Sequence, residues 1–406
     1  MAYDTDTIRK FFPILKQEVY GKPLIYFDNA ATTLKPVQVL MSLEQNHNEF
    51  YGNIHRAVHY MASRATDEYE KVRELVRHFI NAESSDEIIF TKGTTESVNL
   101  VASTFGEHFL TPGNEIIVSE MEHHSNIVPW QINALRKGAA IVKLPVSESG
   151  ELQTGALQDI ITHKTKLIAV THVSNVLGTV NPISQIVETA HRNNVPVFVD
   201  GAQAVQHLPV AVQALDVDFY AFSAHKMYGP NGVGVLYGKR KWLEQLPPYQ
   251  GGGEMISEVS FEKTTFSEIP YKFEAGTPNI AGVIAFGEAI KLLQEIGFDN
   301  IIEREQELLA YATRQLKEMD GLRIYGEAAH KSGVISFNVA GIHPFDLGTM
   351  LDKMGVAVRT GSLCADPLMD FFDISGTVRI SFGIYNTKDE VDRFILALRR
   401  AVQMLS

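Results

Sequence analysis

A turn that carries a hydroxyl, an imidazole and an amine follows an apolar stretch at 218–222. These groups belong to Ser223, His225 and Lys226. A lysine is ordinarily a solvated surface charge. Burial directly after a strand would lower the pKa of the Lys226 amine, and a neutral amine can form an imine with a carbonyl compound. The turn therefore predicts imine chemistry at Lys226.

A carboxylate ends another apolar stretch, at 197–200. This residue, Asp200, is followed by a glycine and then by Gln203. Taken alone, the pattern is most simply the N-cap of a helix. A carboxylate that is desolvated at the end of a strand would instead need a cationic partner. Because Lys226 ends a similar stretch further along the chain, we favour the second interpretation.

Two more sets of polar residues follow predicted strands. Thr94 and Thr95, after a glycine, join a strand to a helical pattern, which suits either an anion cradle or a simple capping box. His123 and His124 suggest a metal at first sight, but adjacent residues of a strand point to opposite sides and no third ligand has a fixed spacing. A flat imidazole against an aromatic cofactor fits His123 better.

Composition and charge exclude several classes of protein. The chain has 406 residues, 45% of them apolar and 21% charged, which is typical of a globular protein and not of a disordered or collagen-like one. The net charge is −12, so we expect no nucleic-acid partner. No apolar run approaches the roughly 20 residues that cross a bilayer, and the first residues are acidic where a signal peptide is basic. We expect a cytoplasmic protein.

Short apolar strands alternate with amphipathic stretches between about 85 and 240, which indicates an α/β fold. The strands are predicted at 88–90, 115–119, 140–144, 167–171, 197–200, 218–222 and 233–237. This alternation implies crossover connections, a largely parallel sheet with helices on both faces, and a ligand crevice at the carboxyl ends of the strands. The polar residues described above lie at those ends.

A second, smaller α/β domain is expected after Pro278. Helical patterns at 279–297 and 299–319 precede strands at 333–338, 356–360 and 377–381, and a last helix begins near 387. The stretch 255–266 predicts an exposed hairpin or loop beside the site. We predict an N-terminal segment (1–15) that packs with the small domain, a large cofactor-binding domain (16–290) and a small C-terminal domain (291–406) with the Cys364 loop.

Pyridoxal phosphate needs a protein site with four parts. These are a lysine for an imine, a carboxylate for a ring cation, a phosphate cradle and a flat histidine. The sequence resembles the SUF-type (SufS-like, group II) cysteine desulfurases of the class V aminotransferase family over essentially its whole length. The resembling motifs are YFDNAA (26–31), NIHR (53–56), GTTE (93–96), MEHHSNIVPW (121–130), THVSNVLG (171–178), DGAQ (200–203), SAHK (223–226), FEAGTPN (273–279) and RTGSLC (359–364). The resemblance implies a fold-type I pyridoxal-phosphate enzyme, with a mostly parallel seven-stranded sheet and a smaller C-terminal α/β domain.

The resemblance also implies which residues bind the cofactor. They would be Lys226, Thr94, Thr95, His123, Asp200, Gln203, Ser223, His225 and Thr277. Lys226 would hold the cofactor covalently, Asp200 would pair with the ring nitrogen, and Gln203 would reach the ring oxygen. His123 would stack on the ring and act in proton transfer, and Thr277 would reach the phosphate bound by the partner subunit of a homodimer.

For the substrate, the resemblance implies a carboxylate held by Arg379 with help from Asn175. Arg359, His55, Arg56 and Ala30 would line the substrate site. Lys226 would remove the α-proton of L-cysteine, and Cys364 as thiolate would take the sulfur as a persulfide and leave L-alanine.

Cys364 is the only cysteine, so it cannot close an internal disulfide, and taken alone it would usually be a small buried residue. In its motif it implies delivery of sulfur to a SufE- or SufU-type acceptor protein for iron–sulfur cluster assembly. Many relatives have one or two histidines between the glycine and the cysteine of this loop, whereas this chain has Ser362 and Leu363.

Other functions remain open at this stage. A selenocysteine lyase, or another class V enzyme such as a kynureninase-like hydrolase, would use the same scaffold without needing a persulfide-forming thiol, and L-selenocysteine could be a side substrate. A cofactor-binding scaffold without activity would be expected to have lost Lys226 or Cys364, and both are present. A dehydrogenase is disfavoured because no glycine fingerprint follows the first strand.

Overall fold

The computed structural model describes residues 4–406. The helices are α1 (Thr5–Lys10), α2 (Val37–Glu49), α3 (Tyr60–Phe79), α4 (Thr94–Phe109), α5 (Val128–Lys137), α6 (Leu157–Ile160), α7 (Ile183–Arg192), α8 (Val212–Leu215), α9 (Arg240–Gln245), α10 (Ile280–Ile296), α11 (Phe298–Lys317), α12 (Pro344–Lys353), α13 (Asp366–Phe372) and α14 (Lys388–Leu405). The strands are β1 (Glu18–Val19), β2 (Lys22–Pro23), β3 (Ile25–Tyr26), β4 (Ile88–Thr91), β5 (Glu115–Ser119), β6 (Ala140–Leu144), β7 (Thr165–Thr171), β8 (Val197–Asp200), β9 (Phe219–Ser223), β10 (Gly234–Gly238), β11 (Ile256–Val259), β12 (Thr264–Phe266), β13 (Leu322–Tyr325), β14 (Val334–Val339), β15 (Val356–Ala357), β16 (Arg359–Gly361) and β17 (Thr377–Ser381).

Seven strands form the large sheet, in the order β4-β10-β9-β8-β7-β5-β6. Only β10 runs antiparallel to its neighbours, so the predicted seven-stranded, mostly parallel α/β sheet is confirmed. Its central strands are almost completely buried because both faces are covered. In β8, Val197 and Val199 pack into one apolar core, whereas Phe198 between them packs into the core on the opposite face.

The parallel strands end at one edge of this sheet, and the chain places polar residues there. Asp200 and Ser223 are the last residues of β8 and β9. Thr94 follows β4, and His123 follows β5 by a few residues. A crevice outside the carboxyl ends is the usual ligand site of such sheets.

A second, antiparallel sheet has the order β13-β14-β17-β16. Its apolar residues pack with those of α11, α12 and α14 into a third core. The stretch 356–360, predicted as one strand, is divided between two sheets: β15 pairs with β3, and β16 pairs with β17. That part of the prediction is wrong because the two halves pair with different partners, and local β propensity does not encode a change of partner.

The N-terminal segment is anchored to the last part of the chain. Arg9 donates to the carboxylate of Glu390 at 2.8 Å and to the main-chain carbonyl of Tyr385 at 2.7 Å. The ring of Phe12 packs edge-on against Tyr385 with centroids 4.6 Å apart. These contacts concern residues 4–15, because residues 1–3 of the predicted segment lie outside the described residues. The domain boundaries themselves stay predictions.

The stretch 255–266 forms an antiparallel hairpin of β11 and β12. Met255 at its base is buried, whereas Phe261 near its tip is fully exposed. Within residues 4–406, no helix combines the length and the apolar character that a membrane crossing requires.

Candidate active site

A cavity of about 460 Å³ opens at the carboxyl edge of the large sheet, between it and the second sheet. This volume is in the range of small-molecule sites. Most of the residues singled out in the sequence line it together. They are Ala30, Thr94, Thr95, His123, Asn175, Asp200, Gln203, Ser223, His225, Lys226, Arg359, Cys364 and Arg379.

Lys226 lies on a single helical turn (Ala224–Lys226) that follows β9 directly. Burial lowers the pKa of its amine, and the carboxylate of Asp200 acts in the opposite direction. Within the described chain, the amine makes no hydrogen bond and no ion pair. It is therefore available to a group that enters the cavity.

Asp200 is buried at the end of β8, and its Oδ1 accepts a 2.9 Å hydrogen bond from the N–H of Ala202. Burial raises the pKa of this carboxyl, and the charge of Lys226 opposes the rise. No lysine, arginine or histidine among residues 4–406 forms an ion pair with it. A buried carboxylate that forms no ion pair is unfavourable, so this position suits a ligand that brings its own cation into contact with it.

Gly201 lets the chain turn at this point. A Cβ atom there would lie 2.1 Å from the ring of Tyr220, which is far inside contact distance. The Tyr220 hydroxyl lies 2.9 Å from Nδ1 of His172, and both side chains are buried. The glycine after Asp200 is thus required by packing beneath the cavity.

Hydroxyl groups surround the N-terminus of α4. The Thr94 N–H donates to Oγ of Ser223 at 2.8 Å, and the two hydroxyls of these residues are 2.7 Å apart. Thr95, in the first turn of α4, lies beside them in the cavity wall. Burial lowers the pKa of the His225 imidazole to about 4. This arrangement offers an anion neutral donors at a helix N-terminus.

His123 precedes a short turn (His124–Asn126), and its Nδ1 accepts from the N–H of Ser125 at 3.1 Å. Burial and the nearby charge of Lys226 lower the pKa of His123 to about 3, so the ring is neutral near pH 7. Its neighbour Glu122 is fully buried and accepts hydrogen bonds from Asn126 (2.6 Å) and from the N–H of Thr171 (2.7 Å). These bonds fix the segment that carries His123.

Arg379 and Arg359 face each other on β17 and β16 as directly opposed residues. Arg379 is buried, donates to Oδ1 of Asp28 at 3.0 Å and to the carbonyl of Asn175 at 2.9 Å, and has an Nε without a partner among the described residues. Arg359 forms no ion pair in that part of the chain. Like charges directly opposite destabilise a sheet. The pair therefore provides a place for an additional anion.

Cys364 lies in the short loop between β16 and α13 and is exposed. Leu363 and Cys364 both have positive φ angles, 56° and 57°, which residues with a side chain rarely adopt. Two hydrogen bonds from the large-sheet side hold this conformation: Nδ2 of Asn175 donates to the Leu363 carbonyl (2.9 Å), and the N–H of His124 donates to the Cys364 carbonyl (2.8 Å). The thiol is thus presented from a fixed loop.

Three predicted residues do not line this cavity. His55 and Arg56 lie near Glu254 at the base of the hairpin; Nε2 of His55 is 2.9 Å from Glu70, and Nε of Arg56 is 3.4 Å from Glu254. Thr277 is exposed just before α10. The roles given to these residues stay predictions.

Other lining residues were not singled out in the sequence. They include Asp28, Thr32, Ser125, Thr171 and Val173. Asp28 is the most consequential because it occupies one side of the Arg379 guanidinium. Burial raises the pKa of Asp28, and Arg379 opposes this. Its position in the YFDNAA motif was a usable signal, but a lone aspartate in a loop does not reveal an arginine 351 residues away.

The residues present fit pyridoxal phosphate. The buried carboxylate of Asp200, which forms no ion pair in the described chain, suits a protonated ring nitrogen, and the amine of Lys226 suits the aldehyde. The donors at the start of α4 suit the phosphate.

Comparisons with known proteins agree with this fit. A family model described as aminotransferase class-V matches residues 25–394. The chain is 48% identical to a cysteine desulfurase of Serratia proteamaculans over 406 residues, covering all of both chains. It is 47% identical to a probable cysteine desulfurase of Halalkalibacterium halodurans over 393 residues, which is 97% of each chain.

Solved structures give the same result. The cysteine desulfurase CsdA of Escherichia coli superposes with a TM-score of 0.93 at 40% identity, over 100% of both chains. A cysteine desulfurase of Thermococcus onnurineus superposes with a TM-score of 0.93 at 37% identity, over 98% of both chains.

Proposed function

This chain belongs to the class-V aminotransferase family, and from that premise we propose how it removes sulfur from L-cysteine. It is a pyridoxal-phosphate-dependent cysteine desulfurase. In our proposal L-cysteine becomes L-alanine, and its sulfur leaves as a persulfide on Cys364 for iron–sulfur cluster assembly. The observation that carries the proposal is one cavity lined by the amine of Lys226, the unpaired carboxylate of Asp200, the opposed arginines and the single thiol.

The cofactor supplies an electron sink that stabilises negative charge at the α-carbon of an amino acid. Lys226 would hold it covalently, and Asp200 would keep its ring nitrogen protonated. Thr94, Thr95, Ser223 and His225 would donate to its phosphate. His123, whose pKa burial lowers to about 3, would stack on the ring as a neutral imidazole. Each role agrees with the burial and the free donors of these side chains.

Arg379 and Arg359 bind the carboxylate of the substrate in this proposal. A carboxylate between two opposed guanidiniums relieves their repulsion and accepts charge-assisted hydrogen bonds. Asp28 already accepts from Nη2 of Arg379, so it keeps the guanidinium in place. Asn175 fixes Arg379 from the other side through its carbonyl.

Lys226 then acts as the base. Its lowered pKa favours the neutral amine, which takes the α-proton of cysteine. Cys364, as a thiolate, attacks the substrate sulfur: an S–S bond forms, the Cβ–S bond breaks, and its electron pair stays on the carbon. Protonation of that carbon gives the methyl group, and the return of a proton to the α-carbon completes L-alanine. The persulfide remains on an exposed loop, from which a second protein can take it.

The acceptor and the assembly are further parts of the proposal. A SufE- or SufU-type protein is the proposed acceptor, because the chain has no second cysteine to receive the sulfur. A homodimer in the cytoplasm is also proposed, with Thr277, exposed in this chain, contributing to the site of the partner subunit.

Alanine formation from L-cysteine tests the proposal. Purified protein is incubated with pyridoxal phosphate, a thiol reductant and L-cysteine, in parallel with Cys364→Ala, Lys226→Ala and an L-selenocysteine assay. We expect alanine that requires both residues, cofactor bound by Cys364→Ala, and loss of the visible cofactor band in Lys226→Ala. Undiminished persulfide or sulfide from Cys364→Ala would refute the thiol mechanism. Alanine from L-selenocysteine alone would indicate a lyase.

A further inference from the structure

A line of four buried side chains leads from the cavity to helix α11. Gln206 Nε2 lies 3.2 Å from Oε1 of Gln203 and 2.8 Å from Nε2 of His207. His207 Nδ1 lies 2.7 and 2.8 Å from the two carboxylate oxygens of Glu305. All four side chains are almost completely buried. The line joins the loop after β8 to the long helix α11, about 100 residues further along the chain.

The line of side chains ends at two hydrogen-bond acceptors, the main-chain carbonyl of Ala30 and the carboxylate of Glu305. At one end, Nε2 of Gln203 donates to the main-chain carbonyl of Ala30 at 2.5 Å. At the other end, the Glu305 carboxylate has His207 as its one side-chain hydrogen-bond partner in the described structure. A buried carboxylate must receive a hydrogen bond, so Nδ1 of His207 carries a proton.

The donors and acceptors between these ends then have one matching arrangement. With Nδ1 protonated, Nε2 of His207 is the acceptor for Gln206. The second hydrogen on Gln206 Nε2 goes to Oε1 of Gln203, which agrees with the donation of Gln203 to Ala30. If Glu305 did not fix the His207 tautomer, Gln206 could turn its amide around. Gln203 would then lose the hydrogen bond at Oε1, which is one of the two that hold its amide, and would keep only the bond to Ala30.

We propose that Glu305 and His207 are positioning residues that hold Gln203 with its N–H group toward the cofactor. The inference rests on the proposed function, in which Gln203 reaches the ring oxygen. Gln203 lines the cavity, and its Nε2 has a second hydrogen beyond the one given to Ala30. Through this line, Glu305 on α11 determines the hydrogen bonding of the Gln203 amide, which lines the cavity.

The consequence is spectroscopic. With the cofactor bound, a donor to its ring oxygen would draw electron density from that oxygen and so favour loss of the proton whose titration changes the visible absorption. Losing that donor therefore raises the pH midpoint of the visible absorption of the bound cofactor. One neutral hydrogen bond corresponds to a shift of about half a pH unit. A buried pair that is merely structural would change only stability.

The test compares the pH midpoints of the wild-type holoenzyme, Glu305→Gln and Gln206→Leu. Gln206→Leu breaks the line while leaving the His207 and Glu305 pair intact, and Oε1 of Gln206 has no partner to lose, so this variant remains informative if Glu305→Gln does not fold. We expect both midpoints to rise by about half a unit. Gln203→Leu should show the same rise, and adding Glu305→Gln to it should give no further shift.

His191→Asn is the matched control. Nε2 of His191 lies 2.7 Å from the buried Asp218. The substitution therefore removes a comparable imidazole–carboxylate contact that lies outside the cavity. We expect His191→Asn to have a lower Tm and an unchanged pH midpoint of the cofactor absorption. If Glu305→Gln and Gln206→Leu behave like this control, the inference is refuted while the proposed function stands. A wild type that takes up no pyridoxal phosphate would contradict the proposed function, and this inference with it.

Discussion

Nε2 of His124 lies 2.6 Å from Oδ2 of Asp366, so a side-chain contact joins the segment after β5 to the first residue of α13. Asp366 is two residues from Cys364, whose carbonyl accepts from the N–H of the same His124. Where many relatives have histidine inside the cysteine loop, this chain has Ser362 and Leu363. The imidazole beside the loop is supplied by His124 instead.

Removing the charge of Asp366 should slow sulfur transfer and leave the earlier chemistry unchanged. Both side chains of the pair are at least 40% exposed, so the contact is a modest one, and we expect Asp366→Asn to slow persulfide formation about two- to five-fold. Exchange of the α-proton of L-alanine with deuterated water, which needs Lys226 but no thiol, should keep its rate. Asp370→Asn, an exposed change on the same helix, is the control. Equal slowing of proton exchange and persulfide formation would argue against a role limited to the loop.

Loss of Arg359 should weaken substrate binding. Its guanidinium opposes Arg379 across β16 and β17, and in the proposed site both receive the substrate carboxylate. We expect Arg359→Met to raise KM for L-cysteine by about five- to ten-fold, with a smaller effect on kcat. Steady-state alanine formation measures this. Arg323→Met, on β13 of the same sheet but outside the cavity, should leave KM unchanged. A wild-type KM in Arg359→Met would exclude the residue from substrate binding.

A methyl group at Gly201 should destabilise the protein. The added Cβ would approach the Tyr220 ring to 2.1 Å, and relief of such overpacking costs roughly 1–3 kcal/mol. Chemical denaturation of Gly201→Ala should show this loss in the free energy of unfolding, together with weaker cofactor binding next to Asp200. Gly251→Ala is the matched control, since no atom lies within 4 Å of its added Cβ. Equal stability of the two variants would contradict the packing argument.

His123 should make stability depend on pH in the acid range. Its pKa of about 3 in the folded state lies below the usual value of 6.5, so the unfolded chain binds the extra proton first. Its contribution is complete above pH 6.5 and is lost as the pH falls toward 3. The aromatic variant His123→Phe does not titrate, so its Tm should fall less than that of the wild type between pH 7 and pH 4. Parallel Tm curves would show that the imidazole is not held neutral by burial.

Much of the fold follows from local pattern. Apolar stretches that are buried on both faces and separated by amphipathic segments can form little but a parallel sheet with helices on each side. For that reason the strands at 115–119 and 197–200 have the predicted bounds. Because the parallel strands end at one edge of the sheet, the sequence also predicts that Thr94, His123, Asp200 and Lys226 lie close together. This prediction needs no long-range contact.

Other features depend on partners that are distant in the chain, and these only the tertiary structure decided. The ion pair of Asp28 with Arg379, the opposition of Arg359 and Arg379, and the line from Gln203 to Glu305 each join segments whose spacing carries no local period. The division of 356–360 between two sheets has the same origin.

The sequence by itself determined which side chains could do the chemistry, because strand ends and loop residues are fixed by local alternation of apolar and polar residues. The tertiary structure decided which of them meet and which hydrogen bonds remain free. Burial, register across strands and the pairing of charges are properties of two segments at once, and one segment does not encode them alone.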